Sequence, residues 1–82
     1  MTEVIFYTRP GCSLCEKALA VVERVRERRP FALTTLDIER SEDLLREYLE
    51  RIPVVTIDGV EAFQFFVDET EFEQRVAERQ AA

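Results

Sequence analysis

The feature that most restricts the fold is the alternation of strand-like and helix-like segments along 82 residues. Short apolar runs predict strands, and apolar residues at three- and four-residue spacing predict helices. Turn-forming residues separate the segments. The predicted order is β-α-β-α-β-β-α, with strands over 4–7, 31–38, 54–57 and 62–67 and helices over 12–29, from 41 and from 68.

This order predicts an α/β fold with a four-stranded mixed sheet flanked by helices on both faces. A strand, a crossover helix and a second strand form a right-handed parallel unit. The pair Asp58-Gly59 is a strong hairpin signal, and the hairpin adds an antiparallel edge to the sheet. The length fits one domain over residues 1–82.

Three details of this assignment concern the last two helices and the last strand. Ser41 is a favourable N-cap, and Asp68 with Glu71 resembles a capping box in which Asp replaces Ser or Thr. Strict alternation over 62–67 predicts that every second side chain shares a face of the strand. The predicted inner set is Phe63, Phe65 and Val67, with Phe66 on the other side.

Composition excludes several classes of function. The net charge of −6 argues against nucleic acid, which requires a concentrated basic surface. The absence of His excludes histidine ligands and catalytic triads. No apolar run approaches the roughly 20 residues that span a bilayer, and the first residues lack the features of a secretory signal. A cytoplasmic location is therefore expected.

The only two cysteines, Cys12 and Cys15, lie where the first predicted strand ends and the first predicted helix begins. Three-residue spacing on a helix places both side chains on one face, where a short disulfide can form. Cys12 falls at the helix N-terminus, whose free N–H groups and dipole stabilise a thiolate. Cys15 falls one turn further in and is expected to be more shielded. This asymmetry suits thiol–disulfide exchange.

Two other interpretations of the pair are a buried structural role and a zinc half-site. Free cysteines often serve as small buried hydrophobes. A structural zinc site usually needs four protein ligands, and the chain has no further Cys and no His. The pattern of two cysteines at a strand-to-helix turn within a β-α-β unit favours redox chemistry.

Two motifs carry a resemblance to a known family. The segment 5–15, IFYTRPGCSLC, resembles the opening of glutaredoxins, and the segment 51–55, RIPVV, resembles their second signature. Asp58-Gly59 and Asp68-Glu69 fall in register with the same family. The chain is most similar to small bacterial glutaredoxin-like proteins of the DUF836 type. The resemblance spans the whole chain and implies the thioredoxin/glutaredoxin-like fold.

The resemblance also implies roles for single residues. Cys12 would be the nucleophile and Cys15 the resolving thiol. Pro53 would be cis and face the cysteines, although a proline judged alone more commonly begins a strand in trans. The backbone of Ile52 would pair with an extended substrate segment.

The resemblance also implies binding roles for two charged residues. Arg9 would assist ionisation of the thiol or meet a substrate carboxylate, and Asp68 would offer a carboxylate at a helix N-terminus. Without the resemblance, Arg9 is interpreted as a solvated surface charge and Asp68 as a helix N-cap without a binding role.

The chain departs from typical glutaredoxins at two places. Ser13-Leu14 stands between the cysteines where the family carries Pro-Tyr. The stretch 65–67, FFV, stands where glutaredoxins carry a Gly-Gly pair that approaches glutathione.

These observations predict a monomeric thiol–disulfide oxidoreductase that reduces protein or small-molecule disulfides. It would need no cofactor, since the electrons travel on sulfur, and it would not bind nucleic acid or membranes. The reductant would be glutathione or a thioredoxin reductase. Two alternatives are a dimer that shares an iron–sulfur cluster or zinc through Cys12, and an interaction protein whose cysteines form a redox-sensing latch.

Overall fold

The computed structural model describes residues 1–81. Its sheet has four strands in the order β2-β1-β3-β4. They are β1 (Glu3–Thr8), β2 (Ala32–Asp37), β3 (Val54–Ile57) and β4 (Val60–Gln64). β1 pairs in parallel with β2 and antiparallel with β3, and β3 pairs antiparallel with β4. The predicted mixed sheet with an antiparallel hairpin is confirmed.

Three helices complete the predicted element order. They are α1 (Ser13–Arg28), α2 (Glu42–Tyr48) and α3 (Glu69–Ala81), and a single 3₁₀ turn at Ile38–Arg40 precedes α2. Within residues 1–81, no helix is both long enough and apolar enough to cross a membrane.

The main core lies between the sheet and the helices α1 and α3. Phe72 of α3 is completely buried and makes edge-to-face contacts with Phe31 and Phe63, at centroid separations of 5.8 and 6.1 Å. Such aromatic pairs stabilise a core beyond the area that they bury. The buried residues of this cluster come from the sheet, from α1 and α3, and from Phe31, which precedes β2: Val4, Phe6, Cys15, Ala18, Val22, Val25, Phe31, Val55, Ile57, Phe72 and Val76.

The opposite face of the sheet is covered by the short helix α2. Side chains alternate along β1, so Tyr7 points away from the core that holds Phe6. Tyr7 stacks on Tyr48 of α2 with 4.2 Å between ring centroids, and Arg51 lies over the Tyr48 ring. Burial, and then hydrogen bonding with Tyr7, raises the pKa of Tyr48. Helices therefore cover both faces, as predicted.

The two predicted caps are present, one of them in part. Ser41 Oγ accepts a hydrogen bond from the Leu44 N–H at 3.3 Å. Asp68 Oδ2 accepts the Glu71 N–H at 2.8 Å. The Glu71 carboxylate accepts hydrogen bonds from Arg75, one turn along α3, at 2.9 and 3.1 Å. A complete capping box would also have the Glu71 carboxylate accept the backbone N–H of Asp68, and here that carboxylate bonds Arg75 instead.

The predicted bounds of the last strand were wrong. β4 begins at Val60, earlier than residue 62, because Asp58 and Gly59 form a two-residue turn with φ of 49° and 83°. Both positive values suit the tight hairpin turns that match the twist of the strands. The chain is thus extended immediately after Gly59.

The strand also ends at Gln64 instead of continuing to residue 67. Phe65 has φ of 69°, a left-handed conformation that breaks the alternation of faces. Phe63 and Val67 pack against the core as predicted, whereas Phe65 and Phe66 are both exposed. The prediction that Phe65 lies on the inner face was therefore wrong.

Ion pairs join α1 to α3 on the solvent side of the core. Arg28 contacts Glu69 at 2.9 Å and Glu73 at 2.8 Å, and Arg24 contacts Glu69 at 2.9 Å. Hydrogen bonds from Arg24 and then Arg28 hold the pKa of Glu69 below its ordinary value of 4.5. A hydrogen bond from Arg28 similarly lowers the pKa of Glu73.

These carboxylates make the stability of the fold depend on pH. A carboxyl group with a lowered pKa stabilises the folded state above pH 4.5 and loses this effect as the pH falls through the lowered value. We expect a Glu69→Gln/Glu73→Gln variant to be less stable at neutral pH and to lose less stability in acid. Urea denaturation at a series of pH values measures both effects.

Glu23→Gln is the matched control, because Glu23 lies exposed on α1 and joins no ion pair within residues 1–81. Identical acid dependence in the double variant and the unsubstituted protein would contradict the assignment.

Candidate functional site

Cys12 caps the N-terminus of α1. Its backbone is extended, with φ −94° and ψ 106°, and its Sγ accepts a hydrogen bond from the Cys15 N–H at 3.1 Å. The preceding Gly11 has φ of 76°, a conformation that glycine adopts without steric cost, and it turns the chain from β1 toward the helix. The Cys12 sulfur therefore lies at the positive end of the α1 dipole.

Cys15 lies one turn into the helix and is 2% exposed, whereas Cys12 is half-buried. The structure joins the two as a disulfide, with 5.2 Å between their Cα atoms. This separation is within the usual range for disulfides. Both sequence-based expectations, the shared helix face and the unequal exposure, are confirmed.

The Ile52–Pro53 peptide bond is cis, as the resemblance implied. Val54, the next residue, pairs with Tyr7, so the Ile52-Pro53 segment lies at the end of β1 from which the chain continues to Cys12. Pro53 is buried, and Ile52 and Cys12 both pack against the main core. The register thus brings this segment to the same end of the sheet as the cysteine pair.

The two charged candidates have partners within the chain. Arg9 forms a salt bridge with Glu39 of the 3₁₀ turn at 2.7 Å, and both side chains are partly exposed. The Asp68 carboxylate accepts the Glu71 N–H and so caps α3. Glu39 was missed by sequence analysis, because it lies in an irregular segment without a pattern.

Phe65 is the second residue that sequence analysis did not place correctly. Its N–H donates a hydrogen bond to the Pro53 carbonyl at 2.8 Å, which ties the end of β4 to the proline segment. A bulky residue at positive φ is uncommon. The available signal was its position, since glutaredoxins carry glycine there.

Within residues 1–81, no group of three or more Cys, Asp or Glu side chains is arranged to hold a metal ion.

Comparison with known proteins places this site in a family. A family model described as a glutaredoxin-like domain (DUF836) matches residues 3–80. The chain belongs to the glutaredoxin-like DUF836 family. The match includes the cysteine pair, the cis proline and the start of α3.

A relative found by sequence comparison supports this membership. The DUF836 chain is 33% identical over 72 residues to a protein of Dictyostelium discoideum, "Glutaredoxin-like protein YDR286C homolog". The aligned part is 78% of this chain, and it spans 65% of the length of that relative.

Solved structures show the fold. Protein Ne2328 of Nitrosomonas europaea superposes with a TM-score of 0.77 at 28% identity, covering 90% of this chain and 89% of that chain. Chloroplastic thioredoxin z superposes with a TM-score of 0.77 at 16% identity, covering 100% of this chain and 80% of that chain. The DUF836 chain therefore has the thioredoxin fold.

Proposed function

We propose that the protein is a thiol–disulfide oxidoreductase whose Cys12 and Cys15 alternate between dithiol and disulfide. The observation that carries the proposal is the unequal environment of two bonded cysteines. Cys12 is half-buried at a helix N-terminus and its sulfur already accepts a backbone N–H, whereas Cys15 is buried one turn behind it. In this proposal the Cys12 sulfur attacks the substrate disulfide, and the Cys15 sulfur resolves the mixed disulfide that results.

In the first step, the Cys12 thiolate attacks one sulfur of the substrate disulfide. A bond forms between that sulfur and Cys12, the substrate S–S bond breaks, and the other substrate sulfur leaves and takes up a proton. Cys15 then loses its proton and attacks the Cys12 sulfur. The second substrate thiol leaves, the Cys12–Cys15 disulfide forms, and two electrons have passed from protein to substrate.

The geometry around α1 supports this order of events. The Cys15 N–H that contacts Cys12 Sγ belongs to the first turn, where N–H groups have no partner within the helix. These donors and the helix dipole stabilise negative charge on Cys12. Cys15, which packs in the core, is shielded from external disulfides until Cys12 presents the mixed disulfide beside it.

The surrounding residues are assigned to substrate binding. Ile52 and Pro53, at the same end of the sheet as the cysteines, would present their backbone to an extended segment of the substrate. Arg9 would exchange its Glu39 partner for a substrate carboxylate. Asp68, held by the Glu71 N–H, would contact the substrate from the start of α3.

Each turnover leaves the protein oxidised, so an external reductant must restore the dithiol. Glutathione and thioredoxin reductase are the two candidates, and supplying each in parallel tests the proposal. One arm contains glutathione, glutathione reductase and NADPH, and the other contains thioredoxin reductase and NADPH. We expect NADPH oxidation that requires both a disulfide substrate and the protein in one arm.

The Cys12→Ser/Cys15→Ser variant is the control, since it lacks both sulfurs, and circular dichroism checks that it is folded. If neither arm is active, and the protein reduced with dithiothreitol also fails to reduce a model disulfide, the proposed function is wrong. A protein that is coloured as purified and inactive in both arms would instead support the cluster-binding alternative.

A further inference from the structure

An exposed apolar surface lies beside the cysteine pair. Leu14, the residue before Cys15, is 37% exposed, and Phe65 and Phe66 are 42% and 71% exposed. They line one groove together with Val21 and Lys17 of α1. Exposed aromatic residues that cluster beside a reactive group mark an interaction site more strongly than single exposed hydrophobes.

The conformation of Phe65 sets one wall of this groove. Its φ of 69° is the left-handed region, in which a bulky residue is an outlier. Outliers of this kind persist where surrounding contacts impose them, and they cluster at ligand-binding sites. Here the contact is the hydrogen bond from the Phe65 N–H to the Pro53 carbonyl. The aromatic ring is thus held at the surface although glycine would suit the backbone better.

The groove is small, about 160 Å³. Sites for whole small molecules are usually about 300–1,000 Å³. This volume fits a single side chain of a larger partner. The apolar lining selects an aliphatic or aromatic side chain, because only such a group gains free energy by leaving water here.

Lys17 adds a charge preference to the groove. It is exposed, and it is the one charged residue among those that line the groove. Within residues 1–81, the ten ion pairs do not include it, although the chain carries a net charge of −6. A cation that remains without a partner on an acidic protein favours a carboxylate on the molecule that docks beside it.

We propose that this groove, formed by Leu14, Lys17, Val21, Phe65 and Phe66, binds a polypeptide substrate through a bulky apolar side chain near its reactive cysteine. Lys17 contacts a carboxylate on the same segment. The inference rests on the proposed function and deepens it, because it names the substrate class: a protein disulfide, with free glutathione disulfide disfavoured.

Four short disulfide-linked peptides test the proposal. They differ only beside the cysteine, where one position is Leu or Ser and the next is Glu or Lys; glutathione disulfide is the fifth substrate. The protein is reduced with dithiothreitol, desalted and mixed with each substrate, and the second-order rate constant is measured in a single turnover. We expect the Leu-Glu peptide to react about tenfold or more faster than the Ser-Lys peptide, the scale of discrimination by a small apolar pocket.

Variants separate the two parts of the groove. Phe66→Ser and Phe65→Gly are expected to remove most of the preference for Leu, and Lys17→Glu to reverse the preference between Glu and Lys. Val60→Ser is the matched apolar control, since Val60 is 66% exposed on β4. Arg46→Glu on α2 is the matched charge control, since Arg46 is exposed on the helix that covers the other face of the sheet.

The possible failures are distinguishable. Equal rates with all four peptides, or preferences unchanged by the groove variants, would overturn the docking site while leaving the oxidoreductase intact. Glutathione disulfide reacting fastest, with its rate lowered by Phe66→Ser, would assign the groove to glutathione and overturn the polypeptide assignment. No reaction with any disulfide would overturn the proposed function itself, and the docking site with it.

Discussion

Replacing Cys12 with Ser is expected to lower the rate of disulfide reduction by at least about a thousandfold, since removal of a nucleophile abolishes the step that all later steps require. A serine hydroxyl at the helix N-terminus still accepts the Cys15 N–H, so the local fold is kept. The remaining thiol at residue 15 is buried in the core and is not accessible to an external disulfide. Single-turnover reduction of a model disulfide measures the loss.

The Cys15→Ser variant is expected to fail at a different stage. Cys12 remains free to attack, but no second sulfur lies behind it to release the substrate. Thr35→Ala, an exposed change on β2, is the control for handling and folding and should react like the unsubstituted protein. Full turnover by both single cysteine variants would contradict the division of roles.

Replacing Phe72 with Ala is expected to cost about 3–5 kcal/mol of the free energy of unfolding, the usual cost of removing a buried aromatic side chain. Phe72 is completely buried and contacts both Phe31 and Phe63, so its loss leaves a cavity between α3 and the sheet. A domain of 82 residues has a total stability of about 4–12 kcal/mol. The variant is therefore expected to lose between about a quarter and all of its free energy of unfolding.

Urea denaturation followed by circular dichroism measures this cost. Phe66→Ala is the matched control, because the same side chain is removed from a position that is 71% exposed. Surface changes usually stay within about 0.5 kcal/mol of the parent protein. Similar losses in the two variants would contradict the description of the core.

The sequence predicted the elements whose pattern is local. Cys12 was correctly expected at the start of a helix because the turn residues before it and the helical spacing after it are neighbours in the chain. Ser41 was correctly identified as a cap for the same reason, since its partner, the Leu44 N–H, is three residues away. In both cases, the interaction that decides the structure lies within one helical turn.

The features that were missed depend on contacts between distant segments. The strand ends just before Phe65, whose N–H donates a hydrogen bond to the carbonyl of Pro53. Pro53 belongs to the other side of the hairpin. Alternation of apolar residues gave no sign of this bond and favoured continued extension. Glu39 pairs with Arg9 only because parallel pairing of β1 and β2 brings the ends of both strands together.

The division of roles between the two cysteines is tested most directly by mapping the covalent adduct of the Cys15→Ser variant. The reduced variant is mixed with a disulfide peptide, quenched in acid, digested without reductant and analysed by mass spectrometry. The account predicts one peptide per protein molecule, attached to Cys12 and released by dithiothreitol. A variant that forms no adduct, although Cys12 is reduced and the protein is folded, would contradict the assignment of Cys12 as the attacking sulfur.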